Sequence, residues 1–84
     1  MDGSVPGNDD ILSRLEAIFR VELDDPALRI SQSSTPDDVE GWDSLATIRI
    51  VAAVEREFDC QFDAADIENI HSVSDISGLI ASFS

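Results

Sequence analysis

Gly41-Trp42-Asp43-Ser44-Leu45-Ala46-Thr47-Ile48-Arg49-Ile50-Val51-Ala52-Ala53-Val54-Glu55-Arg56-Glu57-Phe58 is the run from which the architecture follows. It reads as the close of a loop followed by the best amphipathic helix in the chain, from about Ser44 to Phe58. At about 100° per residue, Ile48, Val51, Val54 and Phe58 share one broad apolar face. Ala46, Arg49, Ala53 and Arg56 fall on a narrow opposite strip with the spacing of a solvent-facing ridge. Ser44 opens this helix, behind an aspartate and ahead of a leucine. The first turn of a helix carries unpaired N–H groups and a partial positive charge, so a phosphate ester on the Ser44 hydroxyl would meet both. An ordinary N-cap, or a first-turn residue capped by Asp43, is the plainer reading of the same serine.

Three further helices are legible on either side. Residues 1 to 8 hold glycine, proline and polar residues with little to bury, and are expected to form a mobile tail ahead of a domain over 9–84. A first helix starts near Asn8 or Asp9, both good N-caps, with Ile11, Leu12, Leu15, Ile18 and Phe19 at helical spacing. It fades by Leu23, before Asp24-Asp25-Pro26. A long connection to Trp42 follows, pinned to the core by Leu28, Ile30, Val39 and Trp42; loops of this length usually carry function or pack as a unit. A short third helix is expected over Asp63 to Asn69, with Ile67 and Ile70 facing inward. The fourth begins after Ser72, where Ser72 and Asp75 have the spacing of a capping box. Ile76, Leu79, Ile80 and Phe83 form its buried stripe, and Gly78 within it suggests close approach. No segment alternates with period two. The expected fold is all-α: a small four-helix bundle of three longer helices and one short one, with a long loop between helices 1 and 2.

Composition narrows the function classes. With 84 residues the chain suffices for one small domain. Net charge is −13, and its five basic residues are Arg14, Arg20, Arg29, Arg49 and Arg56. Such a surface repels phosphate backbones, which argues against nucleic acid, and suits a soluble protein that meets basic patches on partners. The first residues carry no apolar run, so neither a signal peptide nor a membrane span is expected there. The single cysteine, Cys60, precludes an internal disulfide and fits a reducing, cytoplasmic setting. A monomer is the simplest expectation.

Catalytic machinery is nearly absent. His71 is the only histidine, and no Gly-x-Ser-x-Gly elbow surrounds any serine. A hydrolase built on Ser44 and His71 would need a pocket and oxyanion hole that so small a chain has little room for. There is no Cys-x-x-Cys, no His-Glu-x-x-His and no calcium loop, and Asp37-Asp38 reads as a solvated loop edge. Cys60, between Phe58 and Phe62, reads as a small buried hydrophobe, since a reactive thiol would want cationic neighbours and Asp59 has the wrong sign. Trp42 reads as an anchor for the loop.

Taken together, Gly41-Trp42-Asp43-Ser44-Leu45, the helix close Glu55-Arg56-Glu57-Phe58, and Val73-Ser74-Asp75-Ile76 through Leu79-Ile80 strongly resemble the acyl carrier protein family. The likeness spans nearly the whole length after the tail. It implies that Ser44 receives 4'-phosphopantetheine from coenzyme A through a separate phosphopantetheinyl transferase. The arm's thiol would then hold acyl groups as thioesters and present them to acyl-loading and acyl-processing enzymes, the carrier itself catalysing nothing. Covalent tethering raises the effective concentration of cargo at each docked enzyme. The resemblance further implies that Asp43 helps the transferase engage, that Leu45 touches partners, and that Ile48, Val51, Val54, Ile67 and Ile70 can line a cleft for an acyl chain. Those five could equally just fill the core.

One departure bears on partners. Fatty-acid carriers of the bacterial type usually present an acidic outer strip on the second helix; here it reads Ala46, Arg49, Ala53, Arg56. This points to a discrete carrier of a specialised pathway, such as polyketide or other thioester-templated assembly, unless the arginines merely pair with Glu55 or Glu57. A peptidyl carrier for amino acids shares the fold and arm, but more often shows a glycine where Trp42 stands. An unmodified acidic interaction module is the rival of another class, and would not need the serine.

Overall fold

Four helices account for the regular structure among the described residues: α1 (Asn8–Glu22), α2 (Ser44–Phe58), α3 (Ala64–Glu68) and α4 (Val73–Phe83). This computed structural model describes residues 8–83. Among them there is no strand, and no helix is long and apolar enough to cross a membrane. Of the expected tail, residues 1–7 lie outside the described residues, and Asn8 already belongs to α1. The side chains of Asn8 and Asp9, the two cap candidates, are likewise outside them.

α1 buries Ile11, Leu15 and Phe19, one row at successive fourth positions, with Leu12 and Ile18 half-buried beside them. That row packs on α2 and α4. The core is completed by Ile50, Val51 and Val54 of α2, Val73, Ile76 and Ile80 of α4, Ile70, and three residues of the long loop, Ile30, Val39 and Trp42.

The long loop is held by polar contacts as well as by these anchors. Glu16 of α1 accepts the Ile30 N–H (3.0 Å) and an Arg20 guanidinium N–H (2.9 Å), while Arg20 Nε donates to the Leu28 carbonyl at 2.7 Å. Further along, loop carbonyls cap the start of α4: Val73 N–H donates to Ser34 and Ser74 N–H to Gln32, both at 2.9 Å. The buried Ser77 hydroxyl donates to Gln32 Oε1 at 2.8 Å. The loop thus satisfies helix ends that would otherwise need water.

Several expectations require correction. α2 is rotated about its axis relative to the sequence reading. Ala46 is fully buried, whereas Ile48 is 57% exposed. The inward side follows the row Ala46, Ile50, Val54 together with Val51, and the outward side carries Leu45, Ile48, Arg49, Ala52 and Arg56. α2 contains three alanines, which contribute little contrast between faces and leave the rotation weakly specified by pattern. In α4, Phe83 is 53% exposed, stacked on Phe62 at 6.1 Å between ring centroids rather than buried. A Cβ built on Gly78 would meet nothing within 4 Å, so this glycine marks no close approach. The Ser72 hydroxyl does accept the Asp75 N–H (3.3 Å), but the Asp75 carboxylate turns to the His71 N–H (2.8 Å), leaving only half a capping box. The complete box belongs to α3, between Asp63 and Asp66.

Candidate functional site

The entry into α2 is built from both ends. Gly41 has φ +87°, a left-handed conformation that costs a glycine little and lets the chain turn between two buried anchors, Val39 and Trp42. Trp42 is 3% exposed and meets Phe19 edge to face, centroids 4.9 Å apart at 88°. Its indole Nε1–H donates to the Thr47 hydroxyl at 2.8 Å. Asp43 follows in extended conformation (φ −117°, ψ −171°) as the N-cap of α2, its Oδ1 accepting the Ala46 N–H at 2.8 Å. The Asp43 carbonyl accepts both the Thr47 N–H (2.9 Å) and the Thr47 hydroxyl (3.0 Å).

Ser44 is therefore not the cap. It is the first residue of α2, exposed, and among the described residues no hydrogen bond engages its hydroxyl. The N–H groups of Ser44 and Leu45 open the helix, with no carbonyl a turn earlier to meet them. Positive helix-end potential and free donors beside an unused primary alcohol suit a phosphodiester at this oxygen. Leu45, 62% exposed, stands beside it, and Ile48 and Arg49 continue the same outward face.

Of the other residues singled out in the sequence, Arg49 and Arg56 are exposed and Ala53 is half-buried. Ala53 and Arg56 border a surface groove of about 450 Å³ shared with Ile18 and the exposed Val21 of α1. Burial removes Ala46 from any contact with a partner. Val51, Val54 and Ile70 are core residues, Ile67 lies at the core's edge, and Ile48 is outside it. These five therefore do not line one cleft. Thr47, which ties the indole to the Asp43 carbonyl, has no signal in the helical pattern; only its i+4 spacing from Asp43 could have suggested it.

Cys60 is half-buried, and burial, with the Glu55 and Asp59 carboxylates, pushes its thiol above the ordinary 9.0. A thiol held protonated in this way is a poor nucleophile.

The capping role of Asp43 can be measured by itself. Asp43→Ala is expected to destabilise the domain by about 0.5–2 kcal/mol through loss of the cap, and Asp43→Asn, about as good a cap, to stay close to the parent in urea midpoint. With stability so matched, a transferase rate lost in Asp43→Asn reports on the charge alone.

Residues 13–80 match the family model described as the phosphopantetheine attachment site. Among solved structures the chain is similar to the solution structure of the holo acyl carrier protein of Geobacter metallireducens. Identity is 24% and the TM-score 0.76, over 84% of this chain and 82% of that one. The covalent group of this family is 4'-phosphopantetheine, and an exposed, unengaged alcohol at a helix start is what its phosphate requires. The chain thus belongs to the phosphopantetheine-attachment family and has the fold of an acyl carrier protein.

Proposed function

We propose that Ser44 bears the 4'-phosphopantetheine arm and that the chain carries acyl intermediates as thioesters on its terminal thiol. The supporting observation is the Ser44 hydroxyl itself, exposed at the first position of α2 while Asp43 does the capping. In the loading step a bond forms between Ser44 Oγ and the phosphorus that bears pantetheine. The pyrophosphate P–O bond of coenzyme A breaks, the adenosine bisphosphate remainder leaves, and the serine proton passes to a base on the phosphopantetheinyl transferase. The carrier catalyses none of the later steps; acyl-loading and acyl-processing enzymes act on its cargo in turn. A cytoplasmic monomer is the setting this reading assumes. Intact mass after incubation with coenzyme A and a promiscuous transferase tests it: a gain of one phosphopantetheinyl group is expected, and no gain with several active transferases refutes it.

The partners are those of a specialised, polyketide-like pathway rather than standard fatty-acid enzymes. What supports this is the outward face of α2, where Leu45 and Ile48 stand beside Arg49 and Arg56 in a chain of net charge −13. Neither of these two arginines forms an ion pair among the described residues. Two cations with no ion pair among the described residues, on a molecule of acidic net charge, suit partners with local negative charge, and like charges facing each other suppress wrong pairings. Arg49→Glu with Arg56→Glu is expected to lower kcat/KM of the cognate loading enzyme by about tenfold or more at low salt, less at high salt. Unchanged kinetics with every cognate enzyme would reject this choice of partner. Sheltering an acyl chain between α2 and α3 would require Val51, Val54 and Ile70 to give up core positions, with Ile67 as the rim.

A further inference from the structure

Ser44 lies inside a closed ring of hydrogen bonds to which it does not itself contribute. Before it, the indole of Trp42 is seated in the core against Phe19 and donates to Thr47 Oγ1 at 2.8 Å. After it, Thr47 returns a turn later and donates its hydroxyl proton to the Asp43 carbonyl at 3.0 Å. One hydroxyl thus accepts from the residue two places before Ser44 and donates to the residue immediately before it. Its single proton is committed, and so is the indole N–H. With Asp43 Oδ1 also occupied by the Ala46 N–H, the peptide preceding Ser44 is fixed on both sides. Asp43, Ser44 and Leu45 are exposed here, while Trp42 and Ala46 are buried and Thr47 is half-buried.

We propose that Thr47 is a positioning residue for attachment at Ser44, acting by locking the Asp43–Ser44 peptide to the buried indole of Trp42. The proposal rests on Ser44 being the attachment residue. Phosphoryl transfer needs the alcohol oxygen held in line with the phosphorus, and a small misplacement is costly to that geometry. Docking of the transferase through Leu45, Ile48 and Arg49 on the outward face of α2 does not require the half-buried Thr47. Loss of the relay therefore acts on the chemical step and not on encounter. Thr47→Val keeps the shape and removes the hydroxyl, leaving the indole N–H without its partner and the Asp43 carbonyl with one donor fewer.

The test is transferase kinetics with coenzyme A on parent, Thr47→Val, Thr47→Ser and Trp42→Phe, followed by intact mass. Emission of Trp42, the only tryptophan, reports release of the indole. Thr47→Val is expected to lower kcat by about tenfold with KM unchanged, and to shift the emission. Thr47→Ser restores both. Trp42→Phe, which keeps the aromatic seat and removes the donor, loses a similar factor, and combining it with Thr47→Val adds little. Parental kcat in Thr47→Val, a fall confined to KM, or a Thr47→Ser variant as slow as the valine variant would each overturn the proposal. Should Thr47→Val fail to fold by circular dichroism, Trp42→Phe decides alone, and parental kcat there overturns it. A parent that gains no mass refutes the carrier reading instead.

Discussion

Ser44→Ala is expected to gain no phosphopantetheinyl mass with any transferase that loads the parent, while unfolding at the same urea concentration or slightly higher. The two halves of this result come from different parts of the geometry. Attachment is lost because the nucleophilic oxygen is gone, and no neighbouring hydroxyl takes its place: Thr47 Oγ1 is committed to Trp42 and Asp43. Stability is retained because Ser44 supplies no cap; Asp43 accepts the Ala46 N–H and remains in the variant. Alanine is moreover the better helix former, by a few tenths of a kcal/mol at an exposed position. Had Ser44 been the N-cap, the same substitution would lower stability by about 1 kcal/mol. The unfolding midpoint therefore separates the structural from the functional reading of one residue, and the mass measures the second directly. Residual loading of the variant would move the attachment point elsewhere in the chain.

The helical order of this fold was legible because each helix announces itself locally. α2 begins at Ser44 and ends at Phe58 as its periodicity indicates, and α1 closes before Asp24-Asp25-Pro26. The loop anchors Ile30, Val39 and Trp42 were legible too, since apolar side chains in a polar stretch have few places to go. The rotation of α2 was not. Ile48 and Ala46 differ in hydrophobicity in the sense opposite to their burial, and what decides between them is how near neighbouring elements come to the first turn. That is tertiary information: an alanine at the head of the inward row admits an approach that an isoleucine would block. Phe83 was misread because a period of 3.6 runs on past the point where the core ends. At the site, the exposed alcohol was legible from its position, whereas the relay through Thr47 was not. The relay depends on an indole from outside the helix reaching back over its first turn.

Trp42→Ala is expected to be the most damaging single substitution in the loop, costing about 3–5 kcal/mol, the range for deleting a large buried aromatic. A domain of this size has on the order of 5–10 kcal/mol in all, so the loss takes up roughly a third or more of it. Three contributions disappear together: the buried ring area, the edge-to-face contact with Phe19 at 4.9 Å, and the hydrogen bond to Thr47 at 2.8 Å. The cavity left behind adjoins Phe19, itself fully buried in α1, and so opens between α1 and the loop. Trp42→Phe retains the first two contributions in part and is expected to lose far less, about 1–2 kcal/mol for the unmade hydrogen bond and the smaller ring. Urea unfolding followed by circular dichroism at 222 nm, a wavelength that does not depend on the deleted fluorophore, gives both values if the slope is unchanged. A Trp42→Ala midpoint within error of the parent would mean that Val39 and Ile30 alone hold the loop. Loading at Ser44 would still be expected to fall, because Thr47 Oγ1 would lack the indole N–H that ties it to the loop.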